Sequence, residues 1–249
     1  MNPVVLIPTY NEAESIVKLL SELKIVHEQC DYKFNVIVID DNSPDNTADV
    51  VRSLSLSWVH VLNRPKKSGL GPAYRAGFHE ALSNEAYTHI VTMDADGSHR
   101  PSDLISLLRA VVPGEMVVLG TRWMPGGHVI NWPKRRHILS RVGTLYARFS
   151  LGIALRDLTG GFRIYSVELL HRLNLSTMKA NGYCFQIEMA MACHVASAHM
   201  IEVPITFVER INGKSKMSPA IAMEAFLQTT LWAVRSKLRR NADKLHYVK

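Results

Sequence analysis

Cysteine is scarce in this chain of 249 residues, which contains only Cys30, Cys184 and Cys193. Their number is odd, and no two of them form a CxxC pair. A disulfide framework and a structural zinc site are therefore not expected, because each needs paired or clustered thiols. Unpaired thiols fit a reducing compartment.

Long apolar runs are also missing. Residues 1–8 have no basic segment and only a short apolar run, so we interpret them as the first strand of the fold and not as a signal peptide. Residues 218–234 are mainly apolar, but they include Glu224 and Gln228 and fall short of the ~20 apolar residues of a membrane-spanning helix. We therefore expect no transmembrane segment.

Acidic residues are outnumbered by basic ones, 22 to 29, which gives a formal net charge of +7. An excess of positive charge favours an anionic partner such as nucleic acid, a phosphorylated substrate or acidic lipid. A merely basic surface explains the same number, so charge alone does not decide the function.

Short apolar strands alternate with amphipathic helices through the first half of the chain. The pattern predicts strands at 4–8, 34–39, 59–62 and 89–93, and helices at 11–23, 47–54, 71–82 and 101–111. Further along it predicts strands at 116–120 and 200–208 and helices at 137–151 and 220–240. This alternation is typical of an α/β fold with a mainly parallel sheet flanked by helices.

Acidic side chains follow two of the predicted strands. Mainly parallel sheets bind ligands beyond the carboxyl ends of their strands, so these side chains are candidates for a binding site. Asp94 and Asp96 lie two apart in an extended segment, so both carboxylates can face one ligand. Hard divalent cations, Mg²⁺ or Mn²⁺, bind such carboxylates and bridge to phosphate. A solvated acidic loop is the alternative interpretation.

The second acidic pair, Asp40 and Asp41, leads into the turn-forming residues 42–45. One interpretation is a turn, and the other is that Asp41 accepts hydrogen bonds from a nucleobase or ribose. The glycines Gly69 and Gly71 resemble part of a dinucleotide fingerprint, but the required pattern is incomplete. A turn is favoured there, and a nucleotide-dependent oxidoreductase is disfavoured.

Taken together, five motifs resemble those of family 2 glycosyltransferases, and the most similar subgroup is the polyprenol (dolichol) monophosphate mannose synthases. The motifs are VVLIPTYNE at 4–12, VIDDNSPD at 38–45, MDADGSH at 93–99, GTR at 120–122 and LTGGFR at 158–163. The resemblance extends from residue 4 to about residue 216. It implies a Rossmann-like GT-A catalytic domain at 1–217, followed by an amphipathic, basic C-terminal helix at 218–249.

The resemblance also implies roles for individual residues. Those expected to bind the nucleotide sugar are Pro8, Tyr10, Glu12, Ile39, Asp41, Asp94, Ala95, Asp96, Arg122, Arg210 and Lys216. Those expected to hold the acceptor phosphate are Arg122, Arg136 and Ser140. The implied metal ligands are Asp96, Asp94 and Ser98, and the implied catalytic residues are Asp94, Asp96 and Arg122.

Two residues of the metal motif depart from the family pattern. Many relatives carry Gln where this chain has Ser98, and Gly97 replaces a bulkier residue. Arg136 and Ser140 are four apart, so a helix starting near Lys134 places them on one face. A solvated basic turn is the alternative for residues 134–137.

The implied reaction is inverting transfer of mannose from GDP-mannose to a polyprenyl monophosphate, with Mg²⁺ or Mn²⁺ as cofactor. A phosphate monoester with a second pKa of about 6 is largely a dianion near neutral pH, so its oxygen can attack without a general base. Other donors such as UDP-glucose, or a soluble acceptor, remain alternatives within the same fold. A non-enzymatic nucleic-acid or membrane-binding module explains the charge but not the acidic motifs, and nucleic acid is not an expected partner.

The C-terminal segment is the expected membrane contact. Its mainly apolar part is followed by Arg235, Lys237, Arg239, Arg240 and Lys244. A helix with Trp232 near this basic end fits a position at a lipid interface, whereas packing against the core is the alternative. We expect a peripheral protein at the cytoplasmic face of a membrane, docking alone or with a separate membrane-protein partner.

Overall fold

The structure of the chain, a computed structural model, describes residues 1–209, 219–238 and 247–248. Its strands are β1 (Pro3–Thr9), β2 (Asn35–Asp40), β3 (Val59–Asn63), β4 (His89–Thr92), β5 (Met116–Thr121), β6 (His128–Ile130), β7 (Arg163–Ser166), β8 (His199–Pro204) and β9 (Thr206–Val208). Its α-helices are α1 (Ala13–Gln29), α2 (Thr47–Ser53), α3 (Leu70–Leu82), α4 (Pro101–Arg109), α5 (Lys134–Leu151), α6 (Val167–Arg172), α7 (Gly182–Val195) and α8 (Pro219–Leu238).

Seven of these strands form one sheet in the order β3-β2-β1-β4-β7-β5-β8. All neighbouring pairs are parallel except those of β7, which runs antiparallel to both β4 and β5. The sheet confirms the predicted mainly parallel α/β fold. Strand β7 was not predicted, because its four residues, RIYS, begin with an arginine and show no apolar run.

The sheet is covered on both faces, and this explains its continuous apolar strands. Residues 4–7 of β1 are fully buried, as expected for a strand packed on two sides. One face packs against α1, α2 and α4 through residues such as Leu20 and Leu104. The other packs against α3, α5, α7 and α8, with Phe78 and Phe185 in its core.

The predicted strand at 200–208 is two strands in the structure. β8 ends at Pro204, and β9 leaves the main sheet to pair in parallel with β6. Pro204 has no backbone N–H to donate to the neighbouring strand. The last hydrogen bond to β5 therefore comes from the next residue, since the Ile205 N–H donates to the Thr121 carbonyl at 3.2 Å. This small second sheet places residues 206–208 beside the loop after β4.

The C-terminal helix α8 packs against α5 and α7, and for Trp232 this is the alternative of packing against the core. Trp232 is only 8% exposed and belongs to the core, together with Ala233. The opposite side of α8 exposes apolar side chains, among them Phe226 and Leu231. Within the described part of the chain, no helix combines the length and the apolarity needed to cross a membrane.

Candidate functional site

The loops after β1 and β2 are joined by hydrogen bonds at the carboxyl edge of the sheet. The Asn11 N–H donates to Ser43 Oγ at 3.0 Å, and the Glu12 N–H donates to Thr47 Oγ1 at 3.1 Å. Asn11 has a left-handed backbone with φ of 56°, a conformation that asparagine tolerates better than most residues. Pro8 and Tyr10 are half-buried at this edge, and Lys67 Nζ lies 4.0 Å from the Tyr10 ring centroid.

The two aspartates that follow β2, Asp40 and Asp41, have different partners. Asp40 is buried and accepts hydrogen bonds from Thr9, from the Ser43 hydroxyl at 2.6 Å and from the Ser43 N–H at 2.9 Å. Asp40 therefore builds the turn. Asp41 instead pairs with Arg64 and accepts from the Ser68 N–H at 3.0 Å, which places an acid–base pair at the edge of the sheet.

Ile39 is an exception among the predicted nucleotide-site residues. Its side chain is fully buried and packs so tightly on α3 that a Cβ on Gly77 would lie 2.3 Å from Ile39 Cδ1. Its side chain therefore belongs to the core and does not line the site. The cause is its place inside β2, where α3 covers this face of the sheet.

Asp94 and Asp96 are partly exposed directly after β4, whereas Ala95 between them is buried in the core. Residues 95 and 96 form a turn and not the extended segment that the prediction assumed. Asp96 accepts from the Ser98 N–H at 3.0 Å. Gly97 between them has φ of 75°, a left-handed conformation that favours glycine and accounts for the departure at this position.

Two buried side chains hold Asp94. Its N–H donates to His99 Nδ1 at 3.0 Å, so the proton of a neutral imidazole lies on Nε2, which is 3.9 Å from Asp94 Oδ2. The Tyr74 hydroxyl donates to Asp94 Oδ1 at 3.5 Å. Burial, and then the charge of Asp94, raise the pKa of Tyr74 well above its ordinary value. Tyr74 therefore stays a neutral donor.

The donor set at this position fits a hard divalent cation. Ser98 Oγ is buried next to the two carboxylates and has no hydrogen-bond partner among the described residues. Residues 1–209, 219–238 and 247–248 contain no group of three or more Asp, Glu, His and Cys side chains suited to a metal. Mg²⁺ typically takes one or two carboxylates and completes its shell with water and substrate phosphate, so two aspartates are enough for a nucleotide-dependent site.

Arg122, which follows β5, is held by a buried carboxylate that the sequence analysis did not identify. Its Nε donates to Asp157 Oδ2 at 2.6 Å, and its Nη2 donates to Asp157 Oδ1 at 2.8 Å and to Thr159 at 2.8 Å. The Arg122 and Asp157 side chains are 5% and 0% exposed. Such a two-point pair fixes the plane of the guanidinium.

Phe207 of β9 connects the arginine to the acidic motif. Its ring centroid lies 5.2 Å from Arg122 Cζ and 5.4 Å from the centroid of His99. His99 in turn accepts a hydrogen bond from the Asp94 N–H, so a run of contacts through Phe207 and His99 links Arg122 to the acidic loop. The predicted strand at 200–208 includes β9, but this contact was not evident from the sequence pattern.

Arg136 and Ser140 occupy the first turns of α5, which starts at Lys134, three residues before the predicted helix at 137–151. Both are at least partly buried on one side of the helix, so the alternative of a solvated basic turn is wrong for Arg136. Arg136 pairs with Glu209, and its Cζ lies 4.3 Å from the Trp132 ring centroid. The two remaining predicted phosphate-binding residues, Arg210 and Lys216, lie outside the described residues.

Comparisons with known proteins agree with this arrangement. The sequence profile of glycosyl transferase family 2 matches residues 4–173. The chain is 42% identical over 240 residues to a polyprenol monophosphomannose synthase of Mycolicibacterium smegmatis, covering 95% of this chain and 89% of the relative. It is also 42% identical over 239 residues to an undecaprenyl-phosphate mannosyltransferase of Micrococcus luteus, covering 95% and 96% of the two chains.

Solved structures share the fold at lower identity. Mannosyl-3-phosphoglycerate synthase of Rubrobacter xylanophilus superimposes with a TM-score of 0.65 at 20% identity, covering 98% of this chain and 75% of that chain. Glucosyl-3-phosphoglycerate synthase of Mycobacterium tuberculosis, solved with Mn²⁺, UDP and glucosyl-3-phosphoglycerate, gives a TM-score of 0.63 at 18% identity, covering 95% and 79% of the two chains. These likenesses confirm the GT-A type of fold.

Proposed function

Because the chain belongs to glycosyl transferase family 2, and is therefore a glycosyltransferase, we propose that it transfers mannose from GDP-mannose to a polyprenyl monophosphate. The names of the two relatives at 42% identity support the mannosyl group and the lipid acceptor. The observation that carries the proposal is the run of contacts from Arg122 through Phe207 and His99 to the loop of Asp94 and Asp96. In the proposed site this loop supplies the cation-binding carboxylates and Arg122 supplies a fixed positive charge.

Each part of the site has a distinct task in this reaction. Asp94 and Asp96 would hold Mg²⁺ or Mn²⁺, which supplies positive charge to the donor diphosphate and stabilises the departing nucleoside diphosphate. Arg122, whose orientation Asp157 fixes, presents positive charge where the two phosphate groups meet. Arg136 and Ser140, from α5, hold the acceptor phosphate.

The acceptor needs no general base. An oxygen of the phosphate dianion forms a bond with the anomeric carbon as the bond from that carbon to the diphosphate oxygen breaks, and the electron pair leaves with GDP. No proton is transferred, and attack opposite the leaving group inverts the anomeric configuration. This agrees with the residues around Arg122, where the carboxylate of Asp157 is already engaged by hydrogen bonds.

Helices α5 and α8 support a membrane location for this reaction. They pack against each other and expose apolar side chains on their outer surface, which we call the α5–α8 surface: Ile138, Leu139, Val142, Leu145, Phe149, Met223, Phe226, Leu227, Leu231 and Val234. Helix α5 also carries five basic residues and no acidic ones, counting lysine and arginine. We propose that this surface enters the interface of a membrane with anionic headgroups.

The position of the acceptor residues makes this orientation useful. Arg136 and Ser140 lie on the inner side of the same helix whose outer side carries Phe149. A lipid whose chain remains in the membrane can then present its phosphate to the site. The cytoplasmic face is part of the proposal because all three cysteines are buried free thiols, a state that a reducing compartment maintains.

A donor and acceptor panel tests the proposal. The purified chain is incubated with Mn²⁺, radiolabelled GDP-mannose or UDP-glucose, and either undecaprenyl phosphate in detergent or 3-phosphoglycerate in its place. We expect a radiolabelled, organic-extractable product only from GDP-mannose with the lipid phosphate. Transfer from UDP-glucose in preference to GDP-mannose, or equal transfer to the soluble acceptor, would refute it.

A further inference from the structure

Gln186 of α7 is a buried polar side chain that the reaction described above does not use. The residue is 2% exposed, yet neither its Oε1 nor its Nε2 has a hydrogen-bond partner among the described residues. An unsatisfied buried polar group typically costs about 1–3 kcal/mol, so a native amide in this state calls for a missing partner. The partner must be able to accept from the amide nitrogen and donate to the amide oxygen.

The amide lies next to the carboxylate of Asp94. Gly161 marks the place between them, since a Cβ built on Gly161 would be 3.2 Å from Gln186 Nε2, 3.6 Å from Asp94 Oδ1 and 3.7 Å from His99 Cε1. Gln186, Asp94 and His99 therefore surround a small space, which stays free because Gly161 has no side chain. Any larger residue there would press on the amide.

Buried hydrogen bonds fix this arrangement. Arg163, which is 1% exposed, donates to the Gln186 carbonyl at 2.8 Å and to the carbonyls of Gly160 and Leu158 at 2.9 Å each. Thr92 Oγ1 donates to the Gly161 carbonyl at 2.7 Å. The loop at Gly161 and the helix turn at Gln186 are thus held in place by buried hydrogen bonds, so the backbone that carries the amide is fixed.

We propose that the Gln186 amide binds a hydroxyl group of the hexose that is transferred. This inference rests on the proposed function, in which the donor diphosphate is held at Asp94 and Asp96. The sugar is the group directly beyond that diphosphate, and Gln186 lies beside Asp94. A hydroxyl both donates and accepts, so it satisfies both ends of an amide, whereas a phosphate oxygen only accepts.

Kinetics with deoxygenated donors test the assignment. The Gln186→Met variant keeps the length of the side chain and removes both hydrogen-bonding groups. It is compared with the unaltered enzyme on GDP-mannose and on GDP-mannose analogues that each lack one hydroxyl. Gln29→Leu, at the exposed end of α1, is the matched control, and inhibition by GDP reports binding of the nucleotide alone.

We expect Gln186→Met to lower kcat/KM with GDP-mannose at least about tenfold, because a buried hydrogen bond to the substrate is lost. The inhibition constant of GDP should be unchanged. One deoxygenated donor should react equally well with both enzymes, which identifies the hydroxyl that Gln186 binds. The melting temperature of the ligand-free variant should be equal or higher, since it removes an unpaired buried amide; Gln186→Leu serves as a second variant for this comparison.

Three results would overturn the inference. They are unchanged kinetics with Gln186→Met, an equal loss with every deoxygenated donor, and a lower melting temperature in both Gln186 variants without any change in donor discrimination. If the unaltered enzyme transfers no sugar from GDP-mannose, the proposed function fails first. The same comparison with the donor that is active then still decides whether Gln186 contacts the sugar.

Discussion

Replacing Asp157 with asparagine removes the negative charge that faces the buried Arg122 guanidinium and leaves the shape of the side chain almost unchanged. Both side chains are at most 5% exposed, and two charged hydrogen bonds of 2.6 and 2.8 Å join them. Removing one partner of a buried pair typically costs about 3–5 kcal/mol because the other charge is left uncompensated. Since domains are stable by only about 5–15 kcal/mol, this loss would be readily measured.

Urea denaturation followed by tryptophan fluorescence measures the change. Trp123 and Trp132 each have a ring centroid 5.3 Å from Arg122 Cζ, so their emission reports this part of the molecule. Asp49→Asn is the matched control, because it removes a carboxylate from the exposed Asp49–Arg52 pair and should cost less than about 1 kcal/mol.

The dependence on pH gives a second check. Burial acts to raise the pKa of Asp157, but the charge and hydrogen bonds of Arg122 outweigh it, and the pKa lies below its ordinary value. A carboxyl group whose pKa is lower in the folded protein stabilises the fold at pH values above its unfolded pKa. This stabilisation is lost as the pH falls through the folded pKa. The difference in free energy of unfolding between the unaltered protein and Asp157→Asn should be constant near neutral pH and shrink below about pH 4. A difference below about 1 kcal/mol at pH 7, as for a surface pair, would refute the reasoning.

Three further predictions follow from the site and the α5–α8 surface. Arg136→Ala should raise KM for polyprenyl phosphate about tenfold or more, through loss of a charged hydrogen bond, and leave KM for the donor unchanged; an effect confined to the donor in initial-rate assays would contradict it. Gly161→Ala should lower kcat/KM for GDP-mannose with little change in melting temperature, because its Cβ would stand 3.2 Å from Gln186 Nε2; full activity would show that the space is not used. Phe149→Ser with Phe226→Ser should weaken cosedimentation with anionic vesicles about tenfold or more, because these side chains are 77% and 48% exposed. Ile25→Ser, 55% exposed on α1, is the control, and equal losses in both would contradict a specific surface.

The sheet and the acidic motif were predictable from the sequence because both depend on local patterns. The apolar runs of β1, β2 and β4 mark buried parallel strands, and Asp94 and Asp96 follow β4 in the sequence. These features need no knowledge of which segments meet in space.

Features formed by distant segments were not predictable in the same way. Asp157 is 35 residues from Arg122 in the sequence, and no periodicity connects them. Glu209 meets Arg136 over 73 residues. The sequence left open whether Trp232 meets lipid or the core, and packing on α5 and α7 buries it. The apolar outer side of α5 was likewise hidden by the basic residues at its start.

The central claim is that Asp94 and Asp96 hold a divalent cation that binds the donor diphosphate. Isothermal titration of GDP-mannose into the unaltered protein and into Asp96→Asn, each with Mn²⁺ and with excess EDTA, tests it most directly. The account predicts that Mn²⁺ markedly tightens binding to the unaltered protein and that Asp96→Asn loses this effect. Equal affinity with Mn²⁺ and with EDTA in the unaltered protein would contradict it.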